Sequence, residues 1–382
     1  MRKPSLIHFL LAFCVRIGCF FLSSYIEGDL LEFVSPVHAN RLIREGAYLS
    51  KQGINPYSVN YVHSHPMVMF LSEFLPNLPL FHLAFTIFCE LLSYLALSQI
   101  STLLSKRCSS REKKEVQKEN TNIFSKGCHI IPLYVFLFVP FHWFFAAARS
   151  FYPLLLLLQI FSVFFAVSGK HMLTLLFLAL MVSIDIYQIL LVVPTLFLLQ
   201  HFQKRMSKPK SKQNSHSQSM NLSRTLLDLL LFLVLYGFIL VGGYLGLRSL
   251  SQSGIQSPEL TASSPISLLN TQGFFKSFAH SCIQYPILGK DSRVSSSFLW
   301  YFRSQVGYEE HFLVYIIQLL PFAFTTVLLL RFSYLPLELY ICIYGLLVYF
   351  STNSSIAELG LFFTMTPINQ LELADSDCTS YP

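Results

Sequence analysis

The sequence predicts an all-α, polytopic transmembrane helical bundle of about ten spans. Three observations carry that prediction. Hydrophobic residues make up 53% of the chain and charged residues only 12%, whereas a soluble domain carries roughly 25% charged residues. Apolar runs long enough to cross a bilayer recur along the chain, separated by polar stretches. Positive charge gathers in two short loops between those runs, as membrane topology requires. A net charge of +7 would otherwise suggest nucleic acid, but clustering between apolar runs excludes that partner. The eight cysteines show no CxxC spacing. Cys14, Cys19, Cys89 and Cys342 lie in apolar runs, where cysteine acts as a small hydrophobe. Neither a disulfide framework nor a zinc site is expected, and no metal or cofactor.

The first run, residues 5–26, follows Arg2 and Lys3. It lacks the small-x-small cleavage site of a signal peptide, and its length suits a span of about 20 residues. Arg16 in its middle must face protein or snorkel. Residues 27–79 are polar and proline-punctuated, and residues 80–104 are the next span. The basic stretch 106–128 marks a cytosolic loop, which makes 27–79 luminal. Residues 129–148 and 151–168 are two further spans, joined at Arg149-Ser150.

Residues 172–202 are almost wholly apolar. As one straight helix they would extend about 45 Å, longer than the hydrocarbon core. Asp185 and Pro194 interrupt the run, and an even number of crossings keeps Lys170 and Lys204 on one side. Two short, broken helices meeting near Asp185 are therefore expected, a device that survives only inside protein or beside a wet cavity. Residues 203–224 form the second basic, cytosolic loop, and 225–248 cross outward. Residues 249–309 form a second long luminal loop, rich in Ser, Pro and Gly. Residues 311–331, 334–350 and 355–369 are the last spans. The whole reads as one polytopic domain over residues 1–369, with a polar tail at 370–382.

Several residues carry candidate chemistry, each with a plainer reading beside it. Glu27-Gly28-Asp29 follows the first span, where polytopic sugar transferases place a catalytic base; the plainer and preferred reading is an acidic helix end in the headgroup region. Asn55-Pro56-Tyr57-Ser58 reads as a turn with an amphipathic ring. His63-Ser64-His65 offers two imidazoles without a third ligand, which makes polar loop residues of them rather than a metal site. Asp185 is a functional candidate as an intramembrane carboxylate, or it pairs with Arg16 or Arg149 to fix packing. The aromatic cluster Phe298–Phe302, followed by Glu309-Glu310-His311-Phe312, is an interfacial belt or a rim that binds a phosphate- or sugar-bearing headgroup.

These segments, in this order, resemble the class U subunit of the glycosylphosphatidylinositol (GPI) transamidase. The first block is Val34-Ser35-Pro36, Glu45-Gly46, Gly53-x-Asn55-Pro56-Tyr57-Ser58, His63 and Pro66. The second runs from Ala179-Leu180 through Tyr187 to Val193-Pro194. The third is Leu299-Trp300-Tyr301-Phe302 with Glu310-His311-Phe312. The resemblance runs over residues 1–368. That family is similar to the GPI mannosyltransferases but catalytically silent, which implies a GT-C-like architecture. The enzymes carry Asp-x-Asp in the first luminal loop, where this chain has Glu32-Phe33-Val34-Ser35-Pro36. Two departures stand out. Val139-Pro140-Phe141 replaces an Asn-Pro-Tyr-like turn, and a polar tail at Asp375-Ser376-Asp377 stands where the family continues with further spans.

The resemblance implies a non-catalytic subunit in the endoplasmic reticulum membrane, working in the attachment of GPI anchors to proteins. It implies partners that include a caspase-like cysteine protease, and contact with the GPI lipid or glycan, or with the attachment signal. Arg44, Tyr57, His63, Trp300, Tyr301, Glu310 and His311 are the expected binding residues. The alternative is a GPI mannosyltransferase using dolichyl-phosphate mannose, with Asp29 as base and Arg44 near the donor phosphate. A transporter or scramblase, suggested by the broken helices at Asp185, is a third reading.

Overall fold

The fold is seen in a computed structural model. It describes residues 6–25, 39–59, 61–75, 79–115, 131–138, 150–207, 222–254, 268, 270–284, 311–350 and 358–368. These residues are helical almost throughout. The single extended contact among them is an isolated bridge between Ala39 and Ser150.

The first run is α1 (Leu6–Tyr25). The polar stretch after it is not simply a loop. It holds the helix α2 (Asn40–Lys51), a 3-10 turn at Pro56–Ser58 and the short helix α3 (Pro66–Phe74). Low apolar content hides α2, yet Leu42, Ile43, Gly46, Ala47 and Ser50 are buried on one face at helical spacing. Gly53 ends α2 with φ 75°. Its N–H bonds to Ser50 and that of Ile54 to Leu49, a left-handed C-cap that glycine adopts without strain. Gly169, with φ 72°, closes a later helix in the same way.

α4 (Pro79–Glu115) covers the second apolar run and continues through Lys106, Arg107 and Lys113. Part of the expected basic loop is therefore helix. α5 (Ile131–Phe138) begins the third apolar run; the rest of that run, with Val139-Pro140-Phe141 and Arg149, lies outside the described residues. α6 (Tyr152–Val167) matches the expected span closely and packs between α4 and the helices that follow.

The long apolar run breaks at Asp185. α7 (His171–Ile184) ends there, a 3-10 turn occupies Ile186–Leu191, and α8 (Val192–Ser207) returns. Gln203 donates to the Gly169 carbonyl at 3.1 Å, so the open ends of the pair lie side by side. This is a hairpin, and it puts Lys170 and Lys204 at one end and Asp185 at the other. The 14 residues of α7 rise about 21 Å, less than the ~30 Å hydrocarbon core.

α9 (Leu222–Gly254) packs on α2, α3 and α7. Its close approach to α3 depends on Gly243, where a Cβ would sit 2.5 Å from the Met67 nitrogen. Gly243→Ala is expected to cost ~1–3 kcal/mol by forcing the two backbones apart. A lower melting temperature in detergent checks it; an unchanged one would mean that α3 slides freely. Beyond α9 come α10 (Thr271–Phe278) and a π-helical turn, Ala279–Gln284. The last described helices are α11 (His311–Arg331), α12 (Pro336–Phe350) and α13 at 358–368. α12 packs on α8, α11 and the 3-10 turn after Asp185.

Among the described residues, three helices are long and apolar enough to cross a membrane: Leu80–Ser105, Ile186–Lys204 and Ser223–Gln252. Tyr152–Val167, His171–Ile184 and Pro336–Phe350 are apolar but shorter. The expected count of about ten spans therefore does not follow from helix length alone.

Arg16 is buried, and its partner is Glu90 of α4 rather than Asp185. Asp185 instead caps the break in the hairpin, accepting from the Tyr187 N–H at 3.1 Å and from Gln188 Nε2 at 2.9 Å. The chain break needs a cap, and the Asp185 side chain supplies it; Arg149, the other expected partner, lies outside the described residues.

Candidate functional site

Two turns of one design form the floor of the site. Asn55 accepts the Tyr57 N–H at 3.1 Å, with Pro56 next in the chain. His65 repeats the arrangement: its Nδ1 accepts the Met67 N–H at 3.2 Å, with Pro66 next. In both, the side chain satisfies an otherwise orphaned donor, and proline occupies the position that needs none.

Onto these turns docks the segment 270–284. Tyr57 packs edge-on to Phe274 and Phe278, with ring centroids 5.3 and 5.5 Å away. Its hydroxyl donates to the Ser64 carbonyl at 2.8 Å. His63 Nδ1 donates to the Ser281 carbonyl at 3.0 Å, and the Cys282 thiol donates back to the His63 carbonyl at 3.2 Å. The Leu268 N–H bonds the Gly53 carbonyl at 2.9 Å. The two interhelical stretches are thus one packed body. The π turn that supplies Ser281 and Cys282 is a rare conformation, often found at functional sites.

His63 and His65 also meet the apex of the α7–α8 hairpin. With Ser183, Asp185, Tyr236 and Cys282 they line one pocket. His65 stands edge-on to Phe278 at 5.7 Å and tilted against Tyr236 at 5.8 Å. Burial raises the Cys282 thiol and holds Tyr57 well above the ordinary phenol value, with Cys282 adding to the latter. Both keep their protons at neutral pH, so neither is a ready nucleophile.

Burial pushes His65 down from 6.5 to about 3. As pH falls below 6.5 the unfolded chain takes up a proton that the folded chain refuses. The stability contributed is complete above that value and declines by ~1.4 kcal/mol per pH unit on the way down. Between pH 7 and pH 5 a loss of roughly 2 kcal/mol is expected, and His65→Asn should remove it. Thermal denaturation at the two pH values checks this; equal slopes for both proteins would contradict it.

The expected binding residues divide. Tyr57 and His63 come together, both buried and both used to hold segment 270–284. Arg44 lies elsewhere, donating to Asn40 at 3.1 Å and to the Leu75 carbonyl at 2.9 Å. It ties α2 to the end of α3, beside the Lys51–Glu73 pair, and partial burial lowers its pKa. Trp300, Tyr301 and Glu310, like Asp29, lie outside the described residues, and His311 is described only as the backbone start of α11. Sequence reading missed Ser281, Cys282, Phe278 and Tyr236. They sit in ordinary-looking stretches, and only the fold places them against the histidines.

Fold and site together define a class: a multi-helix protein, with three described helices long and apolar enough to cross a membrane, whose interhelical segments close over a small pocket with no cation among its described lining residues. The family model described as GPI transamidase subunit PIG-U matches residues 10–376, nearly the whole chain, and the chain belongs to that family. No curated protein matches it. The match supports the expected subunit and does not favour the mannosyltransferase.

Proposed function

We propose that this chain is a non-catalytic, multi-pass subunit of the GPI transamidase in the endoplasmic reticulum membrane. It holds the GPI lipid and glycan, or the attachment signal, beside a separate caspase-like cysteine protease that performs the transfer. The observation that carries the reading is the family match over residues 10–376. The junction of His63, Tyr57 and segment 270–284 supports it, because a buried junction whose Tyr57 and Cys282 keep their protons suits holding a partner better than bond-breaking. In this reading the hairpin apex and the stretches 27–79 and 249–309 face the lumen, and the basic ends near Lys106 and Lys204 face the cytosol. Arg44, Trp300, Tyr301, Glu310 and His311 form the polar rim around the lipid.

Affinity purification of the tagged chain in mild detergent, followed by mass spectrometry, tests the proposal. Recovery of a caspase-like protease with other membrane subunits is the expected result. Recovery of the chain alone would overturn it.

A further inference from the structure

The pocket at the hairpin apex has an unbalanced hydrogen-bond inventory. His65 is 4% exposed, and its Nδ1 is occupied by the Met67 N–H. The ring is therefore the Nε2–H tautomer, and that nitrogen is buried with no partner among the described residues. A buried donor left unmade is costly, so such a group marks a place where an acceptor is needed. Asp185, across the same pocket, presents the opposite deficit. Its carboxylate takes two hydrogen bonds, from Tyr187 and Gln188, and a carboxylate has about four acceptor positions. What fits between is a group that both accepts and donates.

The chemistry of the lining narrows the class. A phosphate or carboxylate accepts from His65 but meets the Asp185 carboxylate with no cation among the described residues that line the pocket. An ammonium satisfies Asp185 but cannot accept from His65. A hydroxyl does both. The cavity, about 10 Å³, has room for about one such oxygen. Val182, Ile184 and Phe278 close its apolar side.

We propose that this pocket is a hydroxyl-recognition site, in which one polyol oxygen of a bound glycolipid donates to Asp185 and accepts from His65 Nε2–H. The site deepens the proposed function and rests on it: the ring hydroxyls of the glycan or inositol are recognised here, and its phosphates elsewhere. Water has the same donor and acceptor capacity and is the competing occupant.

The test is equilibrium binding of two fluorescent lipids to the purified complete complex. One is a GPI; the other is a phosphatidic acid, with phosphate and acyl chains but no polyol. His65→Asn keeps a strong helix N-cap while removing the Nε2 donor, and Asp185→Asn keeps the size and cap of that side chain. Each variant is expected to weaken GPI binding about tenfold and to leave phosphatidic acid unchanged. His65→Gln, which restores a donor at longer reach, is expected to recover part of the affinity. GPI binding that is unaltered in both asparagine variants would assign the pocket to water alone and overturn the inference, leaving the proposed function intact. Equal weakening of both lipids would also overturn it, as general loss of structure. No GPI binding by the unaltered complex would instead strike the proposed function itself.

Discussion

Glu90→Ala is expected to destabilise the bundle by ~3–5 kcal/mol, among the largest effects of any single substitution in this chain. Arg16 lies in the middle of the apolar run LIHFLLAFCVRIGCFFLSSY and is only 3% exposed. Its Nε pairs with Glu90, and its Nη1 donates to the Ala12 carbonyl at 3.0 Å and, at longer range, to the Leu137 carbonyl at 3.4 Å. One guanidinium thus fastens α1 to α4 and α5. Removing the carboxylate leaves those carbonyls but no counter-charge, so a cation remains stranded between helices. Removing both partners together strands nothing. The double substitution Arg16→Leu with Glu90→Leu should therefore recover most of the loss. Melting temperature in detergent, compared across the single and double variants, reads the difference directly. A Glu90→Ala protein as stable as the unaltered one would show that Arg16 finds water or headgroups, as a snorkelling side chain does.

How far the sequence reveals this protein depends on which forces are local. The break at Asp185 was legible because an apolar run too long for the bilayer and interrupted by a carboxylate allows few alternatives. Even its hairpin form followed from keeping Lys170 and Lys204 on one side, and the Gln203–Gly169 contact agrees. The Asn55-Pro56-Tyr57 turn was legible for the same reason, since its cap lies within the tripeptide. The partner of Arg16 was not. Glu90 stood in plain view as a carboxylate inside an apolar run, but choosing it over Asp185 required knowing that α4, not the hairpin, lies against α1. The docking of Ser281 and Cys282 on His63 was hidden more deeply. It joins residues more than two hundred positions apart through backbone carbonyls, which leave no trace in side-chain pattern. α2 was hidden for another reason: its buried face includes Gly46 and Ser50, residues that composition does not count as core.

Asp185→Ala is expected to cost ~2–4 kcal/mol, from a lost helix cap and a lost charged hydrogen bond. The backbone at Asp185 is extended, with φ −141° and ψ 114°, between α7 and the following 3-10 turn. Its carboxylate holds the Tyr187 N–H and the Gln188 amide. Gln188 in turn accepts from Gln159 of α6 at 2.8 Å. Alanine would leave the Tyr187 N–H without its cap and free the Gln188 amide, so that the hairpin apex loses its anchor to α6. Asparagine retains an acceptor for the Tyr187 N–H and should cost less than half as much. The consequence reaches beyond stability, because Ser183 and Ile184 at this apex line the pocket with His63 and His65. Slackening it should loosen segment 270–284 as well. Hydrogen exchange in the purified complex separates the effects: faster exchange is expected at residues 184–191 and at 270–284 in the alanine variant, and at neither in the asparagine variant. Exchange confined to the hairpin would mean that the two interhelical segments hold together through Tyr57 and His63 alone, without support from the hairpin apex.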